Sequence, residues 1–115
     1  MGAPIVFFDI AGPDMEKQAV FYRRVFDWEI ADDGRFTVAA AASLSGTLRQ
    51  DPKDKVIYLG VEDVAATLAK VVANGGSIIA PRFEVPGVVV LGLFTDPAGN
   101  SMGLVELDGG KPKVP

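Results

Sequence analysis

Phe94-Thr95-Asp96-Pro97-Ala98-Gly99-Asn100-Ser101-Met102-Gly103-Leu104-Val105-Glu106 reads as a strand, a tight turn and a second strand. Asp-Pro opens the turn, Gly99-Asn100 supplies residues that tolerate positive φ, and apolar residues run in from Val88 and out to Leu107. This is the last hairpin of a sheet. Read backward from it, the chain is one unit laid down twice.

The second unit opens with a strand over Val56 to Val61. Glu62 or Asp63 then caps a helix that turns Val64, Leu68, Val71 and Val72 to one side and ends at Asn74-Gly75-Gly76. Ser77 to Val85 is a strand broken by Pro81, Pro86-Gly87 turns, and Val88 to Thr95 leads into the hairpin. The first unit has the same order. Ile5 to Ile10 is a strand ending at Ala11-Gly12-Pro13, and Asp14 suits a helix N-cap. Met15, Ala19, Tyr22 and Phe26 form an apolar stripe opposite Glu16, Lys17, Arg23, Arg24 and Asp27. Trp28 to Ala31 reads as a strand, Asp32-Asp33-Gly34-Arg35 as a hairpin turn, and Phe36 to Ala39 as the next strand. Ala39 to Ala42 continues as strand and turn, and Ser43 to Leu48 resumes the alternation. The fold class is α+β, with two tandem βαβββ repeats at about 4–50 and 55–108 in one domain of 115 residues. Gln50 to Asp54 is the linker and residues 109–115 are a frayed tail.

Composition narrows the chemistry. With 49% apolar residues and no cysteine, this is a globular chain without disulfides or a thiol nucleophile. The absence of histidine removes the commonest general base and transition-metal ligand. A net charge of −4 argues against nucleic acid, and Arg23-Arg24, the lone adjacent basic pair, reads as a solvated helix face. Position 6 is Val where a myristoylation motif wants Ser or Thr. Without signal-peptide features or a membrane-length apolar run, a cytoplasmic protein with no membrane partner is expected.

Phe21-Tyr22-Arg23-Arg24-Val25-Phe26-Asp27-Trp28, Asn74-Gly75-Gly76 and Asp96-Pro97-Ala98-Gly99-Asn100 together resemble the glyoxalase/bleomycin-resistance/extradiol-dioxygenase superfamily, also called vicinal oxygen chelate, in its expected order. Asp27 departs from the usual Gly. The resemblance implies a curved mixed sheet around a cleft and, in metal-dependent members, a divalent ion on His, Glu or Gln side chains from both repeats. Counting from the motifs carries the ligand positions to Phe7, Val56, Gly103 and the window Ala41 to Arg49, none of which offers such a side chain. No metal and no cofactor is expected, and metal-dependent glyoxalase I or dioxygenase activity is not.

Given Phe7 in the cleft, alternation along a strand adds Ile5 and Asp9; Val56 adds Tyr58 and Gly60; Gly103 adds Ser101 and Val105. The expected lining is apolar with few polar groups, suited to a small, largely apolar or aromatic ligand. Asp9 is the best candidate catalytic group, a carboxylate on an apolar strand that either contacts ligand or bonds nearby backbone amides. Glu106, at an odd offset from Gly103, falls on the opposite face as a solvated strand end. Trp28 closes the core or stacks on a flat ligand, while Arg82 and Glu84 are rim candidates. Ser43, Ser45 and Thr47 share one face without a base to activate them, and Gly109-Gly110 opens no helix and makes no phosphate loop.

The expected function is metal-independent binding of a small molecule, as in the bleomycin-resistance branch. Two alternatives stay open: a metal-independent isomerase or lyase using Asp9 as general acid or base, and a non-catalytic subunit with a vestigial cleft. A homodimer is expected, with exchange of repeats as one form of it.

Overall fold

A computed structural model describes residues 2–26, 28–38 and 44–115. These residues form an α+β chain with strands β1 (Ile5–Gly12), β2 (Arg35–Val38), β3 (Leu44–Gln50), β4 (Asp54–Val61), β5 (Ser77–Val85), β6 (Val89–Thr95), β7 (Ser101–Asp108) and β8 (Lys111–Pro112), and helices α1 (Met15–Phe26) and α2 (Val64–Ala73). They fall into two compact units, Phe7–Val56 and Met1–Val6 with Ile57–Pro115.

In the Phe7–Val56 unit, β3 runs between β2 and β1, antiparallel to the first and parallel to the second. Asp14 caps α1 by accepting from the Lys17 amide at 3.0 Å. The helix turns Met15, Ala19 and Tyr22 onto Phe8, Ile10, Phe36, Val38 and Leu48. Trp28 closes this core, stacked on Tyr22 and on Phe36 at 5.0 Å each.

The expected strand at Trp28–Ala31 is instead an irregular segment. Its ladder groups are satisfied locally: Arg23 donates from Nε and Nη2 to the Ile30 carbonyl at 3.2 and 2.7 Å, and the Ala31 amide bonds the Arg35 carbonyl at 3.0 Å. β propensity yields when a side chain claims the acceptor a ladder would use. The reading of Ala39 to Ala42 lies outside the described residues.

In the other unit the order is β4-β7-β6-β5, with β4 parallel to β7 and the remaining pairs antiparallel. Asp63 caps α2 by accepting from the Ala66 amide at 2.9 Å. Val64 and Leu68 are buried against Phe94 and Leu104, while Val72, expected on that face, is exposed. Pro81 does not break β5; the strand runs through it with two register shifts.

The hairpin turn forms as its residues dictate. Asp96 accepts from the amides of Ala98 and Asn100 and from Asn100 Nδ2, each at 2.9 Å, and Gly99 takes φ +90°. The hydrogen bond from the Asn100 side chain, ahead of those from backbone amides, holds the Asp96 carboxyl below its ordinary value. The terminal segment does not fray: β8 pairs with Leu107 and Asp108, and the Lys113 amide bonds the Glu106 carbonyl at 2.8 Å.

Candidate functional site

Each unit has a sheet face turned away from its own helix. In the unit containing Ile57–Pro115, Leu104, Met102, Val90 and Phe94 face α2 or lie in its core, so alternation sends Ser101, Gly103, Val105, Leu91 and Leu93 to the other side. The register lines these up in rows. Phe83, Leu91 and Val105 make one; Ala80, Leu93, Gly103 and Tyr58 make the next; Ser77, Thr95 and Ser101 border them with hydroxyls. Gly60 pairs with Val105 on the same face. The result is an apolar wall with one hydrogen-bonding edge.

Gly103 is glycine for a steric reason: the Tyr58 ring lies over its Cα, and a Cβ there would collide with Tyr58 Cδ1 and Cε1. Residue 103 is the position to which the resemblance carries a metal ligand. The family's ligand would project from residue 103 into space that an aromatic ring fills. Phe7 and Val56 carry no donor atoms, and the described part of the fourth window, Leu44 to Arg49, has no carboxylate or imidazole. Among the described residues no three acidic, His or Cys side chains converge to hold an ion. The donor set does not fit the family's metal.

In the Phe7–Val56 unit, Phe8 and Ile10 pack on the α1 side, leaving Phe7 and Asp9 on the other face with Ser45, Thr47 and Arg49. Ile5, at the strand's start, is exposed, and Val56 is buried. Asp9 is only 2% exposed, and its Oδ1 lies 3.0 Å from Arg49 Nε. Arg49 also reaches Asp51 Oδ2 at 2.9 Å and Asp54 Oδ2 at 4.0 Å. Asp9 is thus a charge-paired strut. Ser45 shares its hydroxyl with Thr37 at 3.3 Å, and Ser43 lies outside the described residues. This face is polar where the other unit's is apolar.

Glu106 stands on the α2 side, as its offset from Gly103 requires, but it is not solvated. It is 6% exposed and accepts from Arg82 Nη2 at 2.6 Å, from Arg82 Nε at 3.1 to 3.2 Å, and from the Val64 amide at 3.2 Å. The Arg82 hydrogen bonds, outweighing burial, hold its carboxyl below the usual glutamate value, while the same contact raises Arg82. Arg82 is therefore a partner for Glu106 and not a rim residue; exposed Glu84 lies 3.7 Å from Arg82.

Sequence reasoning missed Arg49, Leu91, Leu93 and Phe83. The first was within reach, because the alternation through Ser45 and Thr47 continues to position 49. The last three needed the β6 register.

The glyoxalase/bleomycin resistance protein/dioxygenase superfamily model matches residues 5–104. CFP32 of Mycobacterium tuberculosis, whose name places it provisionally among glyoxylases, is 27% identical over 84% of this chain and 42% of its own length. The anthracycline biosynthesis protein DnrV of Streptomyces peucetius is 27% identical over 85% of this chain and 44% of its own. The chain thus spans less than half the length of these relatives. A single-residue variant of Streptomyces coelicolor methylmalonyl-CoA epimerase, in complex with 2-nitronate-propionyl-CoA, has the same fold: TM-score 0.65 and 16% identity, over 96% of this chain and 99% of that one. With eight strands and two helices among the described residues in this order, and a family match that spans nearly every one of them, the chain belongs to the glyoxalase/bleomycin resistance protein/dioxygenase superfamily.

Proposed function

We propose that this domain binds a small, flat, largely apolar or aromatic molecule, without a metal ion, on the wall formed by Tyr58, Phe83, Leu91 and Leu93. The observation that carries the reading is the Tyr58 ring over Gly103, an aromatic surface where the family's metal ligand would stand. Ser101 and Thr95 border the wall and supply hydrogen bonds to a polar edge of the ligand. DnrV, named for anthracycline biosynthesis, adds support, since anthracyclines are planar aromatic compounds.

Area arithmetic sets the ligand's size. A single ring burying about 150 Å² gains roughly 4 kcal/mol before association costs, which is millimolar at best. A polycyclic ligand burying about 300 Å² reaches the micromolar range on the same scale. The test is calorimetric titration of EDTA-treated protein with mono- and polycyclic aromatics. Saturable binding that strengthens with ring count and disappears in Leu93→Glu is expected. Binding only after a divalent metal is added, or unaltered binding by Leu93→Glu, would overturn the reading. Pairing of two chains belongs to the same proposal, and a monomer mass by light scattering at micromolar concentration would remove it.

A further inference from the structure

A concavity lies in the Phe7–Val56 unit, where α1 ends and the chain enters β2. It has a volume of about 600 Å³ and is lined by Arg23, Trp28, Glu29, Ile30, Ala31 and Arg35, a size ordinary for small-molecule sites. The irregular segment that replaces the expected strand builds it. Arg23 fixes the Ile30 carbonyl from one side, and the Gly34 amide closes a turn on the Ala31 carbonyl at 2.9 Å, bringing Arg35 to the other.

The lining has the chemistry of an anion site. Arg23 spends Nε and one Nη2 proton on Ile30, and among the described residues the end of its guanidinium meets an exposed Glu16 at 3.6 Å. Arg35 has a loose ion-pair partner among the described residues, Asp33 at 3.7 Å, and is largely exposed. Trp28 cannot offer its ring faces freely, because Tyr22 and Phe36 stack on it. Phe8 lies T-shaped to the same ring at 6.5 Å, and Trp28 borders the depression beside these contacts, where the ring edge is the electropositive part of an aromatic. Two guanidinium groups and an indole edge suit a planar acceptor, and Glu29 at the lip disfavours a multiply charged one.

We propose that this depression binds a small organic monocarboxylate, with Arg23 and Arg35 gripping the carboxylate and Trp28 meeting the apolar part. The site is separate from the aromatic wall of the other unit and does not depend on it.

Trp28 is the single tryptophan of the chain and lines this depression, so its emission reports on a ligand bound there. Benzoate and the uncharged benzamide serve as probes, titrated at fixed ionic strength. A saturable change in emission with benzoate and not with benzamide is expected. Arg35→Gln, on an exposed side chain, should weaken the benzoate response about tenfold, the loss of one charge-assisted hydrogen bond, with the melting temperature unchanged. Leu93→Glu should leave it intact. Equal responses to the two probes, no saturable response, or an Arg35→Gln protein that titrates like the parent would overturn the proposal.

Discussion

Asp9 and Glu106 are the two buried carboxylates among the described residues, and each is held by an arginine distant in sequence. Their settings differ. Glu106 takes a forked grip from Arg82 and also receives the first amide of α2, so one side chain joins a helix start to two strands. Asp9 meets Arg49 through Nε, and Arg49 divides itself between that partner and the exposed Asp51 and Asp54. A buried carboxylate is therefore not one kind of object. Glu106 is the forked, close partner of a cation that meets only the exposed Glu84 more loosely, at 3.7 Å, and it also holds a helix terminus, whereas Asp9 is one of three claims on a shared cation.

The largest test of this contrast is Glu106→Ala. It strips Arg82 and the Val64 amide together, and a loss of about 3 kcal/mol in urea unfolding is expected. Asp9→Ala should cost less, about 1–2 kcal/mol, because Arg49 keeps Asp51 and Asp54. If the two losses come out equal, the distinction falls.

Acid sharpens the same contrast. Because the folded-state value of Glu106 lies below its unfolded value, its stabilisation is complete above about pH 4.3 and drains away as pH falls through the folded value. Urea midpoints of the parent and Glu106→Gln should thus converge as the buffer is acidified below about pH 4. A gap that stays constant to lower pH would mean that Glu106 stabilises by packing. The smallest effect is Asp51→Asn, an exposed partner of Arg49, at under about 0.5 kcal/mol in the same assay.

Local chemistry explains what could be read before any coordinates. The Asp96-to-Asn100 turn, the caps at Asp14 and Asp63, and the alternation that sets Gly103 and Val105 opposite Glu106 all depend on residues close in sequence. The partners of the two carboxylates could not be read in that way. Arg82 is 24 residues from Glu106, and only the folded register of β5 brings them together. The sequence points to a solvated Glu106 because a strand-end carboxylate is usually wet, and the face it occupies says nothing about what covers it. Trp28 to Ala31 failed for the converse reason: its β propensity is real, but Arg23 on the preceding helix takes the Ile30 carbonyl. The aromatic wall was half legible, since Tyr58, Gly103 and Val105 followed from parity while Leu91 and Leu93 required the strand pairing.

The ring of Tyr58 over Gly103 also constrains how this sequence can change. Residue 103 cannot gain any side chain while the ring stays, and removing the ring first leaves a gap over a bare backbone. Neither order of substitution passes through a well-packed intermediate. The two positions are locked as a pair, so a descendant of this chain that acquired a metal ligand at 103 would have to change both together or borrow stability from elsewhere in the sheet.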